Sequence, residues 1–197
     1  MMKPFAESSE QNREPILNVI EPLFRDCRSV LEVGSGTGQH AVYFARDLPQ
    51  LVWHTSDLNE NHHGIRQWLE ESGLENVSLP VELDTMQSQW PAIKVDAVFS
   101  ANTAHIMHWN AVEALFAGVG RLLSPGGKFT LYGPFNYQGK FTSESNARFD
   151  QWLKDRDAES GIRDFEALDR LAQQAGMQLV EDFEMPANNR ILFWQKN

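Results

Sequence analysis

Leu31-Glu32-Val33-Gly34-Ser35-Gly36-Thr37-Gly38-Gln39-His40 is a glycine-rich turn between an apolar run and an amphipathic stretch. The run Ser29-Val30-Leu31-Glu32-Val33 reads as a buried parallel strand, and His40–Leu48, with apolar Ala41, Phe44, Ala45 and Leu48, reads as a helix packed on it. Three glycines between them permit a turn too tight for side chains. The N–H groups at the helix start then face whatever lies over the strand end, as in nucleotide-binding α/β folds. Spacing narrows the choice. A G-x-G-x-x-G fingerprint needs its third glycine at 39, where Gln39 stands, and the pattern present is G-x-G-x-G at 34, 36 and 38. This weakens a nicotinamide-dependent oxidoreductase reading, and no Gly-Lys-Ser/Thr follows to make a phosphate-binding P-loop.

Outward from the turn, β and α signals alternate. Residues 1–14 are polar and read as extended, and Glu14–Phe24 as a helix with Pro15 in its first turn. Leu51–Asp57 reads as a second strand, Asn59–Ser72 as a helix stopped by Gly73, and Val77–Asp84 as a third strand that Pro80 pushes towards a sheet edge. Lys94–Ala101 reads as a central fourth strand, Trp109–Leu123 as a helix, and Lys128–Gly133 as a fifth strand. Helical stretches at Ala147–Arg156 and Phe165–Ala175 precede two closing strands, Gln178–Met185 and Arg190–Gln195, joined by the short turn Pro186-Ala187-Asn188-Asn189 as an antiparallel hairpin. The expected fold is α/β: a doubly wound, mostly parallel seven-stranded sheet with an antiparallel C-terminal hairpin. Residues 1–197 are expected to form a single domain, with residues 1–25 as an N-terminal segment and helix, and 134–164 as an insertion on the substrate side.

Composition sets the boundaries of function. A formal charge of −10 with no basic block disfavours nucleic acid as a partner. Cys27 is the single cysteine, which leaves no intramolecular disulfide and no multi-cysteine metal site. The opening Met1–Glu7 lacks the apolar core of a signal peptide, and no apolar run is long enough to cross a membrane; a cytoplasmic protein without a membrane partner is expected. Oligomeric state is not legible. His62-His63 and the pair His105 and His108 complete no metal-ligand pattern, so no metal is expected.

Ligands of open α/β sheets sit at the carboxyl ends of strands. Asp57 ends the second strand 19 residues after Gly38, near the roughly 20-residue interval at which a carboxylate meets ribose hydroxyls, and Leu58 follows it. Asp84-Thr85 ends the third strand and Asn102 follows the fourth. Each acid also has a local reading: Asp57 as a helix cap, Asp84 as the opening of a turn. Two acids at successive strand ends beside the glycine turn favour a cofactor site over capping alone. His105, three residues beyond Asn102, is a candidate pocket residue whose imidazole, near its reference pKa, accepts a proton from a nucleophile; orienting its loop is the plainer alternative. Tyr132, Phe135, Tyr137 and Phe141 lie at or beyond the end of the fifth strand, where aromatics enclose an apolar substrate or simply pack.

The turn Glu32-Val33-Gly34-Ser35-Gly36-Thr37-Gly38 resembles the first motif of class I S-adenosylmethionine-dependent methyltransferases. Further stretches, among them Glu10–Arg13, Asn102–His105, Tyr132-Gly133-Pro134, Ser145-Asn146, Phe149-Asp150, Ile162–Asp164 and Met185–Asn189, resemble a family of small uncharacterised methyltransferase-like proteins of about this length. The resemblance implies a Rossmann-like methyltransferase fold and S-adenosylmethionine as cofactor. It implies cofactor contacts from Asn12, Glu32 (to the cofactor's ammonium), Gly34, Ser35, Gly36, Gly38, Gln39, Asp57, Leu58, Asp84, Thr85 (near the adenine) and Asn102. Phe135, Asn146, Arg163, Asp164 and Asn189 are implied for the substrate side, and His105 and Tyr132 for catalysis. The reaction expected is methyl transfer to an O, N or S nucleophile of a small molecule. The alternative is a binding module that keeps the fold without the chemistry.

Overall fold

The computed structural model describes residues 3–197. Through the main sheet the strand order is β3-β2-β1-β4-β5-β9-β8, where β1 is Ser29–Val33, β2 Val52–Asp57, β3 Val77–Glu82, β4 Ala97–Ala101, β5 Lys128–Gly133, β8 Met177–Met185 and β9 Asn189–Lys196. It is the expected seven-stranded, mostly parallel sheet with an antiparallel hairpin at its C-terminal end. β3, with Pro80 in it, lies at the edge, where a missing N–H is tolerated. Contacts group into two compact units, Met1–Ser100 and Ala101–Asn197.

In the first unit β1 runs parallel to both β2 and β4, pairing Val30 with Trp53 and Ala97, and Glu32 with Thr55 and Phe99. Alternation along a strand puts Val30, Glu32, Trp53 and Phe99 on one face. There Trp53, Phe44 and Phe99 meet with ring centroids 5.4–5.7 Å apart, all fully buried. Rings of this size each bury roughly 150–250 Å², so this cluster dominates the unit's core. Helices α1 (Glu7–Leu23), α2 (Gln39–Asp47) and α3 (His62–Ser72) complete it, and Gly73 ends α3 in the left-handed conformation expected of it.

The N-terminal expectation needs correction. Helix α1 starts at Glu7, not Glu14, so Pro15 lies inside it together with Pro22, and only a short stretch ahead of it remains extended. Proline removes one helical hydrogen bond, a local cost that tertiary contacts outweigh here. Asn12, Ile16 and Ile20 are buried, Asn12 Oδ1 meets His40 Nε2 at 2.7 Å, and the Gln39 side chain holds Ala6 by accepting its N–H at 2.6 Å. Met1 and Met2 lie outside the described residues.

The second unit has α4 (Trp109–Leu122), α5 (Glu144–Arg156) and α6 (Phe165–Gln174) around β5, β9 and β8. α5 begins three residues before the expected start, at Glu144, because Ser143 Oγ accepts the Asn146 N–H as an N-cap. The sequence also gave no sign of a two-stranded parallel sheet, β6 (Phe135–Asn136) with β7 (Arg163–Asp164), which joins both ends of the 134–164 segment. Two-residue strands carry no periodicity to read.

Helices α4 and α6 approach closely at Gly120. A Cβ there would lie 2.6 Å from the Ala175 carbonyl oxygen and 2.7 Å from its Cβ. Gly120→Ala should therefore cost about 1–3 kcal/mol in a urea unfolding titration, because backbone has to move. Gly139→Ala, at φ +70° in open space, should cost only the left-handed penalty of roughly 1 kcal/mol. Equal midpoints for the two variants would show that the helix approach is not sensitive to this atom.

Candidate functional site

The glycine turn is tied at both ends. Gly34 and Ser35 both donate N–H to the Ser56 carbonyl, at 3.1 and 2.9 Å, and Ser35 Oγ accepts the Ser56 N–H at 3.1 Å. These bonds fasten the turn to β2. Gly36 N–H donates to Asp57 Oδ2 at 2.7 Å, while Asp57 Oδ1 accepts from Leu58 N–H and Asn61 Nδ2, both at 2.8 Å. Asp57 thus braces the glycine turn and ties it to Asn61, while the helical residues that follow have no side-chain cap. Three bonds leave a carboxylate, with about four lone-pair sites, room for a further donor. Gly38 has φ +89°, and a Cβ on it would sit 3.1 Å from Ile65 Cα, so glycine is required both for the conformation and for the close approach of α3.

Other first-unit candidates have partners of their own. Gln39 is turned to the N-terminal segment, accepting from Ala6 N–H and Thr37 Oγ1. Asn12 is buried against His40, and burial lowers the His40 pKa to about 4. Asp84 Oδ1 accepts the Met86 N–H at 2.9 Å, the turn-opening geometry, next to buried Thr85; Leu58 is exposed. Glu32 is 1% exposed and accepts from Trp53 Nε1 at 3.1 Å. Burial raises its pKa to about 7, against the opposing hydrogen bonds from Trp53 and Ser35, with the charge of Asp57 adding to the rise. Its carboxyl is thus engaged with the indole of Trp53 in the core of the first unit.

In the second unit Asn102 adopts φ +59° and donates its N–H to the Tyr132 carbonyl at 2.9 Å. A non-glycine residue in this region at a strand end is a small stored strain of the kind found at ligand sites. His105 and Tyr132 are both buried; His105 packs edge-on against Phe149 at 5.3 Å, and its Nδ1 lies 3.7 Å from where a Cβ on Gly133 would be. Its pKa falls to about 4, first through burial and then through the charge of Arg163. The near-reference pKa expected of it is therefore corrected: His105 is neutral around pH 7 and only a weak base.

Arg163 is partly buried. Its guanidinium donates to the carbonyls of Ala104 at 3.1 Å, Glu159 at 2.8 Å and Met107, so it braces the loop that carries His105. Burial lowers its pKa, partly offset by Asp150, Glu159 and Asp157. Asp150, absent from the expected site, helps hold the same region by accepting Ile162 N–H at 2.8 Å and pairing with Lys154 at 2.6 Å. Its only sequence signal was its place in the Phe149-Asp150 motif.

Asn146 is tied to the residue before Asn189. Asn146 Nδ2 donates to the Asn188 carbonyl at 3.1 Å, and Asn188 and Asn189 line a cleft of about 580 Å³ with Tyr137, Thr142, Glu184, Met185 and Arg190. Gln138, Ala187 and Asn188, three of the non-glycine residues with positive φ, lie in or next to this lining. Phe135 is fully buried in β6, and Asp164 lies in β7. Among the described residues no group of three or more His, Cys, Asp or Glu side chains is placed to hold a metal ion, and no helix is long and apolar enough to cross a membrane.

The strand order, the terminal hairpin and the glycine turn over the end of β1 define the fold of the class I S-adenosylmethionine-dependent methyltransferases. Solved structures with this fold include an O-methyltransferase family protein from Burkholderia thailandensis, with a TM-score of 0.85, 16% identity, and coverage of 97% of this chain and 58% of that one. Human N-acetylserotonin methyltransferase in complex with SAM gives a TM-score of 0.83, 16% identity, and coverage of 97% and 53%. The chain belongs to the DUF938 family, described as proteins of unknown function, whose profile matches residues 3–196. It is also 30% identical over 112 residues to sterol 24-C-methyltransferase ERG6A of Gibberella zeae, covering 55% of this chain and 28% of that enzyme. The chain thus spans little more than half the length of these solved chains and under a third of that curated relative.

Proposed function

We propose that this protein transfers a methyl group from S-adenosylmethionine to an O, N or S nucleophile of a small molecule. The observation that carries this reading is the turn Gly34–Gly38, braced by Asp57 through Gly36 and too close to Ile65 at Gly38 to admit a side chain. Such a cradle suits a ligand that approaches the backbone closely, and the spare acceptor capacity of Asp57 suits ribose hydroxyls. The fold is shared with the S-adenosylmethionine-dependent methyltransferase SibL and with human N-acetylserotonin methyltransferase in complex with SAM, which supports the same cofactor here.

In this proposal Gly34, Ser35, Gly36 and Gly38 approach the methionine portion, Asp57 and Leu58 the ribose, Asp84 and Thr85 the adenine, and Asn102 the methionine end. Asn12, Gln39 and Glu32 are the further cofactor contacts, Glu32 towards the ammonium, and their side chains also bind His40, Ala6 and Trp53. When bound, the cofactor supplies a methyl group already activated by a sulfonium. The protein's contribution is to align the nucleophile and exclude water, so a strong base is not required. His105 accepts a hydrogen bond from the nucleophile, with Tyr132 as the second candidate, and Arg163 fixes the His105 loop. Residues 134–164 with Asn189 form the acceptor side. The proposed location is cytoplasmic.

Incubation of the protein with methyl-labelled S-adenosylmethionine and a cell-extract metabolite pool tests this directly. The expected result is label in a small molecule, identified by mass spectrometry, with stoichiometric S-adenosylhomocysteine. Tight cofactor binding without any transfer would replace the enzyme reading with that of a binding module.

A further inference from the structure

Two buried acceptor oxygens in the small β6–β7 sheet, Asn136 Oδ1 and Asp164 Oδ1, have no hydrogen-bond donor. The residues that carry them are partners in register, Asn136 opposite Asp164. Neighbours in register project to the same side of a sheet, so both side chains share one face. Native proteins rarely leave such atoms unpaired, because each has given up water without a replacement.

Neither orientation is accidental. Asn136 is 9% exposed, and its Nδ2 donates to the Ile162 carbonyl at 3.5 Å. Turning the amide over would set two oxygens against each other, so Oδ1 is fixed as the atom without a donor. Asp164 occupies the N-cap of α6, where aspartate normally accepts a backbone N–H of the first turn, yet it makes no capping bond. Its carboxylate is used neither for the helix nor for an ion pair that would quench Oδ1.

We infer that Asn136 and Asp164 form a recognition site for a primary ammonium group. An ammonium carries three donors and one positive charge, which matches two unpaired acceptors on one face of the small sheet, one of them a carboxylate oxygen. A hydroxyl has a single donor and cannot satisfy both. That the ammonium belongs to the methyl acceptor rests on the proposed methyl transfer; the site itself does not.

The test uses the full chain without cofactor, so its failure leaves the cofactor reading intact and the reverse. Side-chain amide resonances of Asn136 are followed by NMR while methylammonium chloride is added at constant ionic strength, with tetramethylammonium chloride and methanol as parallel arms. The expected result is a saturable shift for methylammonium, at least about tenfold tighter than for either other probe. Asp164→Asn, which keeps a side chain suited to the helix N-cap, should weaken it by about tenfold or more, as should Asp164→Ala. A tetramethylammonium response equal to that of methylammonium would reduce the effect to unspecific charge attraction and overturn the proposal. So would a tighter response to methanol, the absence of any saturable shift, or a shift that survives in both variants.

Discussion

Asp57→Ala is expected to weaken binding of S-adenosylmethionine about a hundredfold, measured by calorimetry, equivalent to roughly 2.7 kcal/mol. Two contributions add. The substitution removes charge-assisted acceptors for ribose hydroxyls, and it leaves Gly36 N–H without the oxygen now 2.7 Å away, loosening the turn that receives the cofactor. Asp57→Asn keeps the size and one oxygen and should lose about tenfold. Turn disorder alone would also weaken binding, so the ribose contact needs its own measurement. S-adenosylhomocysteine and its 2′-deoxy form should differ in affinity for the parent protein and bind Asp57→Ala alike, a coupling that the two single changes cannot produce separately. If Asp57→Ala binds within twofold of the parent, the assignment of this turn as the cofactor site is lost.

The second large effect concerns stability and pH. Glu32 has its pKa raised from 4.5 to about 7 because it is buried among Trp53 and its neighbours. Below pH 4.5 the carboxyl is protonated in the folded and unfolded chain alike, and its folded-state hydrogen bonds cost nothing in charge. Between 4.5 and 7 the unfolded chain ionises first, so unfolding releases a proton and stability falls as pH rises. Above 7 both states are ionised and the loss is complete, at about 3 kcal/mol. Glu32→Gln retains an acceptor for Trp53 Nε1 and removes the titration. Urea unfolding at pH 4.5, 6 and 8 should therefore show the variant gaining on the parent by about 3 kcal/mol across the series. The comparison has to be between variant and parent, because His40 and His105, with pKa values lowered to about 4, lose stability in the other direction as pH falls. A constant difference between the two proteins at all three pH values would mean that Glu32 is ionised in the folded state throughout.

Sequence legibility followed the range of the forces involved. Pro80 put β3 at an edge because proline lacks a ladder donor, and Gly73 stopped α3 because its φ is open to glycine; both rules act within a few residues. Pro15 misled, because the same local rule that places proline in a first turn is overridden by Asn12 on His40 and Gln39 on Ala6, contacts 28 and 33 residues apart. The site divides in the same way. Asp57 was legible from its distance to the glycine turn, whereas the engagement of Arg163 with three backbone carbonyls was not.

By itself the sequence determined the alternation of strands and helices, the glycine turn with left-handed Gly34, Gly36 and Gly38, and Asp57 at the end of β2, since periodicity and backbone freedom are properties of short segments, whereas β3 ends at Glu82, two residues short of the expected Asp84. Tertiary structure alone decided that Glu32 is a core carboxyl, that His105 is neutral, and that Asn136 and Asp164 stand opposite each other with unused oxygens. Burial and the pairing of distant segments set dielectric, charge and hydrogen-bond supply, and none of these can be read from neighbours along the chain.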